Sequence, residues 1–400
     1  MKWWFGRKAG GGSLRPFLFG WGRGSVSACA GGEWPRSYEA QVREAYLGNP
    51  VAQRAVRLVA ESVASVVVYA EGGGEAEASD AGAVGGSGPP PPHFVRSPSP
   101  FRGGLVGAAL LESVVTHLLL HGNAFVQVLC DAEGVPAELF ALRPERVSVE
   151  ADSSGWPAAY LYKAGEAKSR IAARDGLGRP GLVHLKAVHP LDDHYGLGCL
   201  GAAAGAVAIH NAASRWNKAL LDNAARPSGA LVYAPTDGSA LSGDQFERLR
   251  EELENQFAGA GNAGRPMLLE GGLSWQAMSL SPADMDFVGL KAAAAREIAL
   301  AFGVPPMLLG LPGDSTYANY REANRALWRL TVLPMAERVL GGIGGALAAW
   351  WPGLKLQVDV DQVTALSEDR ERLWAQVSGA NFLSDAEKRE MLGFGSPVSG

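Results

Sequence analysis

Between Glu270 and Gly310 the chain reads EGGLSWQAMSLSPADMDFVGLKAAAAREIALAFGVPPMLLG, and both ends of a helix are written into it. Ser281 suits a helix N-cap, Pro282 suits the first helical position, where no N–H is needed, and Asp284 and Asp286 put negative charge on the first turn. Phe287, Leu290, Ala294, Ile298 and Ala301 then share one apolar stripe at helical spacing. Gly303 and Pro305-Pro306 end the run. The spacing therefore predicts a strand, a helix over 282–302 of about 30 Å, and an abrupt stop.

A chain of 400 residues exceeds one ordinary core, so two or more sub-structures are expected. The net charge of −5 argues against a dedicated duplex-binding surface, which needs a basic face to displace counterions. Cys29, Cys130 and Cys199 are scattered and in no metal spacing, which reads as reduced structural thiols. Val26-Ser27-Ala28-Cys29 has the look of a lipoprotein cleavage box. The apolar run before it, Phe17 to Trp21, is short and followed by Arg23, so a secretory signal is rejected. No window is expected to reach transmembrane length; the best attempt, Leu105–Leu120, carries Glu112 and His117.

Residues 1–32 are basic, aromatic and glycine-rich, an arm without a core of its own. A helix follows from Asn49-Pro50, with Val51, Val56, Val59 and Val63 on one side, then a strand from Val66 to Tyr69. Residues 72–92 are rich in Gly, Ala, Ser and Glu and end in prolines, a surface insertion. A helix over Leu105–Leu120 meets a hairpin of AFVQVL and AELFAL, with Val147–Glu150, Ala158–Lys163 and Leu182–Val188 as further strands. An Ala-rich helix spans Cys199 to Ala225. After it come a strand at Ala230–Tyr233, a helix opened by the capping box Ser242/Gln245, and a strand at Pro266–Leu269. The helix starting near Tyr317 must kink or break at Pro334, a strand covers Leu354–Val360, and two short helices fill 367–393, the second opened by Ser384 and Glu387.

Several of these runs, taken in order, resemble tailed-phage portal proteins of the siphophage type, a family that includes phage-like gene transfer agents. LSWQ…LSPAD leading to REIALAFGVPPMLLG resembles the family's second stem helix. GNAFVQVL…ELFALRPERVSV resembles its wing, and NAARPSGAL its approach to the clip. The resemblance implies an α+β, modular portal fold: a β-rich wing, a two-helix stem, a small α/β clip, a long kinked tunnel helix and a short α-helical crown. It divides the chain into an arm (1–32), wing (33–197), stem helix 1 (198–225), clip (226–281), stem helix 2 (282–302), tunnel loop (303–316), kinked helix and wing return strand (317–361) and crown (362–400).

It further implies a structural subunit, not an enzyme, that forms a dodecameric ring around a DNA channel at one capsid vertex, assembled in the host cytoplasm. About twelve helices at 10 Å spacing leave a bore of about 28 Å, ample for a duplex. The partners it implies are the major capsid protein, a head–tail adaptor, the terminase large subunit, and double-stranded DNA sliding through without sequence specificity; no membrane and no cofactor are expected. Tunnel-loop candidates are Leu308, Leu309, Gly310, Leu311, Gly313, Asp314, Ser315 and Thr316. Arg321, Arg325 and Arg329 recur every four residues, either as a salt-bridged face or as an intersubunit row. Glu247, Arg248, Glu251 and Asn255 are candidates for partner binding at the clip.

The sharpest rival is a dinucleotide-binding oxidoreductase. Gly196-Leu197-Gly198-Cys199-Leu200-Gly201 fits G-x-G-x-x-G at the start of a helix, where bare backbone can cradle a pyrophosphate. Against it, PLDDHY separates His189 from the first glycine, and Asp222 lies within the long helix instead of ending a second strand. Gly176–Gly181 is a poorer match because it contains Pro180 and precedes a strand. His184, His189, Asp192, Asp193 and His194 are metal-ligand types in a short window, read as a polar strand-to-stem turn with no metal. There is no G-x-S-x-G elbow, no Gly-Lys pair for a P-loop and no H-E-x-x-H, so packaging energy would come from another protein.

Overall fold

The computed structural model describes residues 34–35, 37–71, 107–222, 229–233, 242–245, 247–249, 251, 273–277, 286–311, 317–380 and 382–392. Helix α1 (Tyr38–Val42) passes through a π-helical turn, Arg43–Leu47, to α2 (Pro50–Ala64), followed by β1 (Val68–Glu71). Next come α3 (Ala108–His121), β2 (Asn123–Cys130), β3 (Pro136–Leu142), β4 (Val147–Ala151), β5 (Pro157–Ala164), β6 (Ala167–Ala172) and β7 (Leu182–Lys186). Two long helices follow, α4 (Cys199–Asp222) and α5 (Phe287–Ala301), with β8 (Gly229–Tyr233) and β9 (Leu273–Ala277) between them in sequence. Helices α6 (Tyr317–Leu327) and α7 (Leu333–Leu347), strand β10 (Lys355–Val358), α8 (Ser367–Gly379) and α9 (Asp385–Met391) complete the order.

Every sheet among the described residues is antiparallel: β3-β2-β7, β4-β5-β6, and the pairs β1-β10 and β8-β9. The main core lies where α2, α3 and α7 meet the β3-β2-β7 sheet. Val56, Val59 and Val63 of α2, Val114, Val115 and Leu118 of α3, and Val339, Leu340, Ile343 and Leu347 of α7 are buried there. These residues recur at helical spacing, so burying one stripe of each helix yields about 2 kcal/mol per large side chain. A second, smaller core joins the two three-stranded sheets through Phe125, Leu142, Val147, Tyr160 and Leu182.

Three loops between strands use one device: the β2–β3 and β4–β5 hairpin turns and the β6–β7 connection. Asp131, Asp152 and Asp175 each accept, through one side-chain oxygen, the amides two and four residues on, at 2.8–3.1 Å. In each a glycine three residues after the aspartate takes the left-handed turn position, with φ of 77°, 80° and 77° at Gly134, Gly155 and Gly178. The first loop is fastened to the end of the α7 segment, where Trp350 donates its indole N–H to the Gly134 carbonyl at 2.8 Å and Arg179 lies over the Trp350 ring.

Several expectations need correction. Strand β6 was not anticipated; its residues are exposed on both faces except Ile171, so backbone pairing to β5, with the Arg170–Glu150 ion pair and Ile171 on the second core, holds it and no apolar alternation announces it. The second stem helix begins at Phe287, not Pro282. Asp286 has φ of 39°, a left-handed backbone that a helix running from 282 could not pass through, and it caps α5 by accepting from the Gly289 amide. Ser281 and Pro282 lie outside the described residues. The kink expected at Pro334 takes the form of a π-helical turn over Trp328–Val332, with Pro334 in the first turn of α7. A π-turn relieves the clash between a proline ring and the carbonyl four residues earlier. As a result Asn319–Leu347 is one continuous helix, long and apolar enough to cross a membrane by length and composition, contrary to the sequence reading. Part of its apolar face serves the core, where Ala336, Val339, Leu340, Ile343 and Leu347 are buried, whereas Leu330 is 77% exposed.

Caps read from sequence recur in the structure. Ser384 and Glu387 exchange the reciprocal bonds of a capping box at α9, as do Ser242 and Gln245 at the helical residues between 243 and 251. Asn49 caps α2 by accepting from the Val51 and Ala52 amides, each at 3.0 Å. The same side chain, buried, donates to Asn211 of α4 at 2.8 Å and sits 3.1 Å from His210 Nδ1. Replacing it removes a cap and strands two partners, so Asn49→Ala should cost about 3 kcal/mol of unfolding free energy. Denaturant unfolding measures this, and a loss below about 1 kcal/mol would mean that the network carries little stability.

Candidate channel and ring-forming surfaces

Helices α4 and α5 form a pair that lies along one another. Trp216 near the end of α4 stacks on Phe287 at the start of α5, centroids 5.9 Å apart, so the helices run antiparallel along one another. Their shared face is small: Ala206 and Ala213 on α4, with Ala294, Ala295, Ile298 and Ala299 on α5, are buried. At the wing end, Asn211 donates to the Glu44 carbonyl and carboxylate at 3.0 Å each, and Arg215 reaches the same carboxylate at 3.1 Å. The Asn211 hydrogen bond and then Arg215 hold the Glu44 carboxyl below its usual range. Burial, with Lys291 nearby, holds His210 below its ordinary imidazole value. Sequence reasoning missed this pin; the only signal was Asn49, read as a cap alone.

Arg321, Arg325 and Arg329 line up on the continuous helix and meet the acidic first turn of α8. Glu368 takes Arg321 at 2.6 Å and Arg325 at 2.7 Å, Asp369 lies 3.5 Å from Arg325 and 4.0 Å from Arg329, and Glu322 pairs with Arg325 at 2.9 Å. The salt-bridged face is thus the arrangement within the chain, with the first turn of α8 as the partner that the sequence reading left out. Leu308 and Leu309 lie in a 3-10 turn, Pro306–Leu309, and pack half-buried against the core; Leu311 is half-buried and Gly310 exposed. Gly313, Asp314, Ser315 and Thr316 lie outside the described residues, as does Asn255. Glu247, Arg248 and Glu251 are exposed.

The glycine fingerprint has a mechanical explanation. A Cβ on Gly196 would sit 2.1 Å from the Gly122 carbonyl oxygen, and one on Gly198 would sit 2.4 Å from that of Leu120. Gly122 itself has φ of 80° and ends α3. The space that a pyrophosphate would need is filled by the α3–β2 corner. The strand before the glycines, β7, pairs antiparallel with β2, whereas a dinucleotide fold needs a parallel crossover. The corner is locked by Asn123, fully buried, whose oxygen accepts the Gly196 amide at 2.7 Å and lies 3.0 Å from His184 Nε2. Its nitrogen donates to the Gly196 carbonyl at 3.1 Å.

The histidine and aspartate window is taken up by folding. His184 stacks on Phe125 at 4.3 Å, His189 accepts from the Leu191 amide, and Asp192 accepts from the amides of His194 and Tyr195. Lys186 donates to the Asp193 carbonyl. Among the described residues no three His, Cys, Asp or Glu side chains could jointly hold a metal ion. Cys130 is exposed and Cys199 half-buried, and both thiols are free.

With the cradle filled, what remains is a body of packed helices and antiparallel sheets in which the α4–α5 helix pair shares the main core. A family profile described as "Phage portal protein" matches residues 50–393, and the chain belongs to that family. An uncharacterized protein of Rickettsia felis is 40% identical over 364 residues, 89% of each sequence. A chain of the native gene transfer agent virion is 46% identical, with a TM-score of 0.68 and coverage of 91% of this chain and 95% of that one. A chain in the native particle's neck, computed with C12 symmetry, is 45% identical with the same coverage and a TM-score of 0.67. The chain is a structural portal subunit of mixed helix and sheet, and the oxidoreductase alternative has no support.

Two predictions follow from the geometry. Gly196→Ala should cost about 3 kcal/mol or more, because backbone must move to admit the methyl group, and NAD titration of the wild type should show no saturable binding. Saturable binding would overturn the mechanical reading of the glycines. Burial first, then Arg143, holds His117 at about 4, and burial first, then Lys186, holds His184 at about 3. Unfolded imidazoles protonate near pH 6.5, so the contribution of these groups is complete above that pH and is lost as pH falls below it, by about 2 kcal/mol each at pH 5. His117 Nδ1 is buried without a hydrogen-bond partner. His117→Leu should therefore keep or raise stability at pH 8 and flatten the acid loss. An unchanged slope of melting temperature against pH would refute this.

Proposed function

We propose that the chain is the subunit of a dodecameric portal ring at one vertex of a phage or phage-like gene transfer agent particle, through which DNA is packaged and later ejected. The match to the portal family over residues 50–393 carries this reading. The likeness to a chain in a C12-symmetric gene transfer agent neck supports the ring and its place in a particle. In that reading α4 and α5 form the channel wall, and the mildly acidic chain, with net charge −5, lets duplex slide where a basic lining would retain it. Contact with DNA is sequence-independent, and the tunnel loop from Leu308 to Thr316 is the constriction.

The unit between the stem helices, 226–281, is the clip. Its exposed side chains Glu247, Arg248 and Glu251, with Asn255, are offered first to the terminase large subunit and then to the head–tail adaptor. The wing meets the major capsid protein, and the ring assembles in the host cytoplasm before the head closes. The arginine row pairs with the crown inside each chain, and an intersubunit role for Arg321 and Arg329 would add to those pairs.

Light scattering with negative-stain microscopy of the purified chain tests the ring. The expected result is a species of about a dozen copies with a central hole. A protein that stays a single chain and binds a nucleotide cofactor would overturn the assignment.

A further inference from the structure

The segment from Val360 to Leu392 is a small unit with buried residues of its own: Val363, Leu366, Val377 and Leu392. None of these side chains belongs to the main core or to the second core. Arg370 ties the unit together from within, donating to the Asp361 carboxylate at 2.7 Å and to the Leu392 carbonyl at 2.8 Å. Just before the unit, the Asp359 amide donates to the Val67 carbonyl at 2.8 Å and fixes the chain to the body.

The unit meets the body along α6. The 3-10 turn Thr364–Leu366 lies against that helix, and beside it the carboxylates of Glu368 and Asp369 take Arg321, Arg325 and Arg329. Charge therefore makes up much of the joint. Glu368 is 46% exposed and Asp369 33%, so dissolved ions reach these pairs and screen them. Each such pair contributes little alone. The fit is also incomplete, because Arg325 Nε is buried without a hydrogen-bond partner, 3.5 Å from the Asp369 carboxylate. A joint of this kind holds a position but lets go before two apolar cores do.

We propose that residues 360–392 form a cap held on α6 by an ion-pair latch, and that the cap lifts as one unit while the body stays folded. Such a cap belongs to the single chain and needs no ring. Its hinge falls between Asp359, pinned to Val67, and Val360. Off the body, a helix of 13 residues over so few buried side chains cannot keep its fold, so α8 loses its backbone protection when the cap lifts. Lifting bares three guanidiniums about 6 Å apart along one helix. A chain of anionic groups spans that row where one small anion cannot, so a polyanion drives the opening by taking the arginines from the carboxylates.

Hydrogen exchange of the full chain, read by mass spectrometry, is the test. Raising sodium chloride should speed exchange over 370–379 by about tenfold and leave 56–63 of α2 and 111–119 of α3 unchanged. Arg321→Gln with Arg325→Gln leaves the sequence of α8 untouched, and it should give the fast rate at low salt with no further salt response. Glu368→Gln with Asp369→Asn should do the same, and joining the two pairs of changes should add nothing. Effects that add would mean that the carboxylates only stabilise the first turn of α8, which overturns the latch. Exchange over 370–379 that ignores salt, or that rises equally in α2 and α3, overturns it too. Inorganic polyphosphate, set against sodium chloride at equal ionic strength, should open the wild-type cap further and leave the arginine variant unmoved. Equal opening by the two salts would overturn the polyanion's part and keep the latch.

Discussion

Three backbones meet at Gly122, Gly196 and Gly198 more closely than any side chain allows, and the join between the sheets and the stem depends on that approach. It lets the end of α3, the start of β2 and the start of α4 share one corner. Asn123 then closes the corner by giving and receiving bonds with Gly196 while it holds His184. A buried amide with its partners in place is worth little net, but one left unmet is expensive, so such a corner has one arrangement. The direction in which α4 leaves the body is set there, within a few residues of its first turn. A second fixing point, Asn49 with Asn211 and Glu44, lies a further three turns along the same helix. Two polar pins at different heights define an axis, where one would define only a pivot.

Elements whose stability is local were legible in the sequence. The caps at Asn49, Ser242 and Ser384 are short-range chemistry, and each residue does in the structure what its spacing requires. The β2–β3 hairpin was readable because apolar runs flank an aspartate-glycine turn. What escaped was set by distant parts of the chain. Strand β6 exists because β5 offers it an edge, and its own residues carry no pattern. The first turn expected from Pro282 gives way to a left-handed Asp286, a local choice that an N-cap rule could have located at either aspartate. Apart from Glu322, the partners of the arginine row, Glu368 and Asp369, lie forty or more residues downstream, and spacing along one helix cannot name them.

The same divide explains the candidate site. Order along the chain pointed to the family, and a profile over most of the length bears that out. Sequence spacing weighed against the glycine fingerprint but could not give its actual use, because a cradle and a close backbone contact both require residues without side chains. Only the position of the α3–β2 corner separates them. Likewise the partial burial of Leu308 and Leu309 against the core could not be read from apolar residues beside a glycine, which suit an exposed loop as well as a packed turn.

The π-turn at Trp328–Val332 has one more consequence. Such a turn holds an extra residue, which rotates everything after it by about 100° relative to an unbroken α-helix. Before the turn, the helix points Arg321 and Arg325 at the first turn of α8; after it, Val339, Ile343 and Leu347 point into the core. One rod thus serves two clients on different bearings, and the turn works as the coupling that sets their phase. Inserting or removing a single codon there would leave both halves intact and spoil their alignment.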